Sequence, residues 1–250
     1  PPPTEGRNIS VILGSCWDHV GNTFGSFWDH FGVTLGSLWD HFGITLGSLW
    51  DHSVTLLESI RDLSGINLAS KSITGSLPNT IGLLSELQTL QIDNNAMTGS
   101  IPSQIGSLTK LTQLQLNKNK FSGSIPTTVG SLVKLFSLNC DYNLLNGNLP
   151  SSFGSLVNMQ YYYCQENSIG GSLPTTLGTL TNLNHFYMDN NNMVGSLPSE
   201  MGSMTKLTIL LLFHNSLTGT VPDSFSALTN MNMLRLYSNQ IIPKYPAQIC

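Results

Sequence analysis

The sequence predicts an α/β solenoid of about eight turns, and three observations carry that expectation. From about residue 60 the chain repeats every 24 residues without insertion or deletion. Each copy holds a short stretch in which apolar and polar residues alternate, and Asn, Gly and Pro recur in fixed columns. A sustained period of this length marks stacked units, none of which buries a core alone.

Each column has a physical purpose. In Leu87-Gln88-Thr89-Leu90-Gln91-Ile92-Asp93-Asn94-Asn95, Leu90 and Ile92 alternate with polar residues, as a half-buried strand requires. One such strand per turn builds a parallel sheet with about 4.8 Å between turns. Asparagine closes the strand at Asn95, Asn119, Asn143, Asn167, Asn191, Asn215 and Asn239, where an amide can both donate to and accept from unpaired backbone groups. Glycine follows four residues later, from Gly75 to Gly219, and supplies a permissive backbone. A proline column, Pro78 to Pro246, holds the next stretch extended, and Ile105-Gly106-Ser107-Leu108 and its equivalents close the turn with a second inward apolar pair.

Asn95-Ala96-Met97-Thr98-Gly99-Ser100-Ile101-Pro102 and Asn119-Lys120-Phe121-Ser122-Gly123-Ser124-Ile125-Pro126 resemble the plant-type leucine-rich repeat, the repeat of polygalacturonase-inhibiting proteins and receptor-like kinase ectodomains. The resemblance covers about residues 60–250 and implies a curved, right-handed solenoid with its parallel sheet on the concave face. The family's usual caps are not recognisable at either end, so a fragment, or a solenoid capped by neighbours, is expected.

Residues 15–59 follow another rule. Trp17, Trp28, Trp39 and Trp50 are spaced by eleven, close to three helical turns. Trp39, Phe42, Leu46 and Leu49 fall within an arc of about 80° on a helical wheel. A helix is favoured, although two glycines per copy weaken it. Short strands such as Phe31-Gly32-Val33-Thr34-Leu35 are the alternative. This aromatic stripe is expected to act as an N-terminal cap or an assembly segment. Residues 1–14, opening with three prolines, read as an extended tether that carries the N-glycosylation sequon Asn8-Ile9-Ser10.

Composition narrows the function. Charged residues are 10% of the 250 and the net charge is −4, which gives no basic footprint for nucleic acid or anionic membranes. No apolar run is long enough to span a bilayer. The chain begins at Pro1 without Met or a signal peptide, as a processed or trimmed chain would, so secretion is undecided by that end. Cys140 and Cys164 share one inward column on adjacent turns, where stacked free thiols are favoured over a disulfide. Cys16 and Cys250, at opposite ends, are left unpaired, joined to another chain, or joined to sequence beyond this one.

Four Asp-His pairs, from Asp18-His19 to Asp51-His52, recur once per eleven-residue copy and are read as products of duplication, so no metal is expected. No nucleophile elbow, paired carboxylates or phosphate loop is present, so neither an enzyme nor a cofactor is expected.

The strongest functional clue lies on the solvent side of the predicted sheet. Early turns carry small or polar residues there: Thr89, Gln91, Asp93, Gln113, Gln115 and Asn117. Later turns carry Tyr142, Tyr161, Tyr163, His185, Tyr187, Ile209, Leu211, Phe213, His214, Met233 and Tyr237, with Asp141, Glu166, Asp189 and Arg235 among them. Interfaces enrich such residues, and a large exposed apolar patch signals contact. The expectation is an extracellular or cell-surface binding module whose partner is a protein, itself or another, or a polysaccharide. A homopolymer, with the tryptophan segment of one chain covering the concave patch of the next, is one version. Receptor-type or inhibitor-type recognition is a second. Ice binding through the hydroxyl column Ser76, Ser100, Ser124, Ser172, Ser196 and Thr220 is a third.

Overall fold

The computed structural model describes residues 63–242 and Lys244. The tether with Asn8, the segment of Trp17, Trp28, Trp39 and Trp50, and the terminal Cys16 and Cys250 lie outside the described residues.

Fourteen short strands, numbered in chain order, fall into two sets among the described residues. The first set comprises β1 (Gly65–Asn67), β2 (Thr89–Gln91), β3 (Gln113–Gln115), β5 (Ser137–Asn139), β7 (Tyr161–Tyr163), β9 (His185–Tyr187), β11 (Ile209–Leu211) and β13 (Met233–Arg235). They form one eight-stranded parallel sheet in that order. Its register is the repeat itself, since Leu90 pairs with Leu114 and Tyr162 with Phe186. Equivalent side chains therefore stack in straight rows along the solenoid.

The second set, β4 (Ser122–Ser124), β6 (Leu144–Asn146), β8 (Gly170–Ser172), β10 (Asn192–Ser196), β12 (Ser216–Thr220) and β14 (Gln240–Ile242), lies on another side of each turn. Sequence reasoning did not anticipate it. Here residues pair at a step of 22, as Ser122 with Leu144 and Val194 with Ser216. Equivalent positions of the 24-residue repeat are thus not paired neighbours on this side.

The third side is built from five-residue 3-10 turns such as Ser103–Ser107 and Thr127–Ser131; no α-helix occurs among the described residues. The helical part of the expected α/β pattern takes this tighter form because proline sets the start and leucine the end. Ile105 donates its N–H to the Pro102 carbonyl (3.0 Å) and Leu108 to that of Ile105 (3.1 Å), which leaves no length for a further turn. Neighbouring turns come very close on this side: a Cβ on Gly106 would stand 2.4 Å from the Thr128 carbonyl oxygen, so only glycine fits.

One apolar core runs the length of the stack. In a single turn Leu87, Leu90, Ile92, Met97, Ile105 and Leu108 are all essentially inaccessible, and each such side chain contributes about 1.5–3 kcal/mol by burial. The asparagine column locks turn to turn. Asn119 donates from Nδ2 to the carbonyls of Ile92 (2.9 Å), Leu116 (3.1 Å) and Asn117 (3.3 Å), and its Oδ1 accepts the Met97 N–H (3.0 Å). The residue before each ladder asparagine is left-handed, with φ of 54° at Lys118, 50° at Tyr142 and 51° at His214.

Cys140 and Cys164 form a disulfide across adjacent turns, which corrects the expectation of free thiols. The in-register ladder sets their Cα atoms 4.8 Å apart, inside the range a disulfide spans.

Candidate partner-binding face

The eight-stranded sheet presents two straight rows of side chains to solvent, and a third row flanks them. One begins at Thr89 and continues through Gln113, Ser137, Tyr161, His185, Ile209 and Met233; the next runs Gln91, Gln115, Asn139, Tyr163, Tyr187, Leu211 and Arg235. Asp93, Asn117, Asp141, Gln165, Asp189, Phe213 and Tyr237 make the third, just past the strands. Because the register equals the repeat, residues one period apart lie side by side, and aromatics in successive copies meet.

They meet in two groups. Tyr161, Tyr163, His185 and Tyr187 form a four-ring plate: Tyr161 meets His185 edge-on at 5.1 Å, Tyr163 meets Tyr187 at 4.8 Å, and His185 stacks beside Tyr187 at 5.6 Å. The Tyr163 hydroxyl and His185 Nδ1 are 2.9 Å apart. Burial pushes the Tyr163 phenol up to about 12, so it stays protonated; burial also lowers the His185 value. Phe136, not anticipated from the sequence, extends the plate by an edge contact with Tyr161 at 5.2 Å. It is the one aromatic in a polar column (Gln88, Thr112, Gln160, Asn184, Thr208), and that was its signal.

The second group is Phe213, stacked on Tyr237 at 4.7 Å, with His214 edge-on to both at 5.4 and 5.5 Å. Leu211 lies in the row between the two groups, and Met233 sits in the last strand at 37% exposure. Tyr142 stands apart from the rows. It and His214 occupy the left-handed corner column, not the strand, and Tyr142 is 50% exposed with no aromatic contact to either group.

The acidic residues among these rings behave differently from their sequence appearance. Asp141 and Asp189 are only 8% and 5% exposed. Asp141 Oδ2 accepts from Gln165 Nε2 (2.9 Å) and Asp189 Oδ2 from Asn190 Nδ2 (3.0 Å). Asp141 Oδ1, Gln165 Oε1 and Asp189 Oδ1, on three successive turns, are buried and accept no hydrogen bond. Burial pushes the Asp141 carboxyl up to about 6, against a smaller opposing pull from the Lys118 charge, and raises that of Asp189 as well. The face thus sets aromatic rings beside a row of buried, underused acceptors.

A parallel sheet of 24-residue turns, asparagine-laddered and closed by 3-10 turns, defines a leucine-rich-repeat solenoid. The family model described as Leucine Rich Repeat matches residues 86–108, 110–132 and 206–228. A structure of a TDR receptor is similar at 33% identity and TM-score 0.74, over 76% of this chain and 33% of that one. The Arabidopsis receptor kinase HAESA ectodomain, solved with an N-terminally extended IDA peptide hormone, is similar at 30% identity and TM-score 0.73, over 76% and 32%. A plant ice-binding protein shares the fold at 23% identity and TM-score 0.65, over 76% and 61%. No curated protein sequence matches. The chain spans about a third of the length of the two receptors. Three of its repeats thus match the leucine-rich-repeat model, and its solenoid is similar to those of the plant receptor ectodomains.

Proposed function

We propose that this solenoid is a recognition module, acting outside the cell, that binds an extended polypeptide along the concave rows of its C-terminal half. One observation carries the proposal: rings and apolar groups crowd the solvent side of β7 to β13, whereas β2 and β3 show only small or polar groups there. Stacked rings offer large contact area at low entropic cost, and contiguous exposed apolar surface favours contact. The likeness to HAESA, whose structure holds a peptide hormone, supports a peptide rather than a globular partner. Tyr161, Tyr163, His185, Tyr187, Leu211, Phe213, Met233 and Tyr237 make up the proposed contact face, with Tyr142 and His214 at its rim.

The test is selection of short linear peptides on the immobilised chain. Tyr161→Ala with Tyr187→Ala should abolish capture while circular dichroism and the melting midpoint stay close to the parent's. Capture that survives both changes would remove the concave face from consideration. Residues 15–59 are proposed as a separate N-terminal unit, with assembly through its tryptophans. A monomer at high concentration by sedimentation would exclude that assembly.

Ice binding keeps one observation in its favour, the exposed Ser76, Ser100, Ser124, Ser172 and Ser196. Asn148 interrupts that column, and Leu144 and Val194 stand exposed on the same side at 59% and 45%. Absence of thermal hysteresis would eliminate it.

A further inference from the structure

The row Asp141-Gln165-Asp189 points to the chemistry of the bound segment, given that the concave face binds polypeptide. Both carboxylates are more than nine-tenths buried, and each leaves one oxygen without a donor; the Gln165 carbonyl between them is in the same condition. Buried acceptors are normally satisfied, and three orphans on consecutive turns are costly unless something supplies donors. No donor among the described residues does so. Lys118 lies near enough to be felt by Asp141 but makes no salt bridge with it, and the ion pair found among the described residues joins Lys110 to Glu86 on another surface. Glu166 and Asp93 add further negative charge around the row.

The row also adjoins the rings. Tyr163 and Tyr187 occupy the neighbouring row on the same turns as Gln165 and Asp189, and Phe213 continues the acidic row by one turn. Aromatic faces beside carboxylates make a cation site: the rings attract positive charge by their quadrupole, and the acids supply countercharge. A neutral sugar would satisfy some acceptors but leave the mutual repulsion of the acids unrelieved.

We infer that the Asp141-Gln165-Asp189 row and the Tyr163-Tyr187 rings form a subsite for a basic side chain of the bound polypeptide, best filled by arginine. The planar guanidinium lies against the rings and its fork donates to Gln165 Oε1 and Asp189 Oδ1, neighbours on adjacent turns. Gln165 is the part-exposed member of the row, so the guanidinium reaches the row at this residue.

The experiment uses the full chain and the peptides selected on it. Arginine or lysine should be enriched at one position. Replacing that arginine by citrulline, its neutral isostere, should weaken binding by about tenfold or more, and Asp141→Asn with Asp189→Asn should cause a similar loss for the arginine peptide only. The citrulline comparison is made on the unaltered protein, so a misfolded variant cannot imitate the result. Selection of peptides through Tyr161 and Tyr187 without basic enrichment, or tolerance of citrulline within about twofold, overturns the subsite and leaves the concave face standing. Peptide capture indifferent to the tyrosine changes overturns both. Capture of oligosaccharides and no peptides also overturns the subsite.

Discussion

The Tyr163 hydroxyl and His185 Nδ1 are hydrogen-bonded across adjacent turns at 2.9 Å, tying two residues that are 22 positions apart in sequence. The bond links the rings of the two turns, and burial disfavours the charged imidazolium.

His185 should therefore titrate below its usual 6.5, because burial disfavours the imidazolium. A depressed histidine contributes stability that is complete above about 6.5 and lost as pH falls through its folded value. Proton NMR of the imidazole follows this directly; a midpoint at or above 6.5 would contradict it.

Asp141 has the opposite sign. Its folded value, about 6, exceeds the unfolded 3.8, so the native state holds the proton more tightly. Its contribution falls as pH rises from about 4 to 6 and stays low above. Asp141→Asn should raise the melting midpoint at pH 7 and flatten the loss between pH 4 and 6. A lowered midpoint at pH 7 would show that the fold stabilises the charged carboxylate, against the cost of its burial.

Tyr162 sits fully buried in the leucine column, edge-on to Phe153 at 4.9 Å, and its hydroxyl has no partner. Burial raises its pKa strongly. Removing the orphan hydroxyl in Tyr162→Phe should stabilise the protein by about 1 kcal/mol, read as a higher urea midpoint with unchanged slope.

Asn143 accepts the Phe121 N–H (2.9 Å) and donates to the carbonyls of Leu116, Cys140 and Asp141, each at 3.1 Å. Asn143→Ala strands these buried groups and should cost about 3 kcal/mol or more. Asn117→Ala, in the solvent row, should change stability by less than about 0.5 kcal/mol. Equal effects of the two in urea unfolding would refute the ladder assignment.

Much of this was legible before any coordinates. The alternation of Leu90 and Ile92, the Asn95-to-Asn239 column and the proline column are local signals, and each maps onto a strand, a ladder and a 3-10 start. The clustering of Tyr161, Tyr163, His185 and Tyr187 followed from the same period, because copies 24 apart become neighbours. Less accessible was the burial of Asp141 and Asp189, which look like surface acids in sequence. Tyr142 reads in sequence like the strand tyrosines, although its backbone is left-handed and it lies outside the strands. Phe136 lies one residue before its strand, outside the alternating pattern.

By itself the sequence determined the turn length, the order of elements in a turn and which residues recur at equivalent places, since these depend on contacts within one period. Tertiary structure alone decided how successive turns slide and shelter one another. Stacking gave a step of 24 in the eight-stranded sheet and 22 in the second set of strands, paired Cys140 with Cys164, and covered two carboxylates. Periodicity sets spacing along the chain, but burial depends on what the neighbouring turns place overhead.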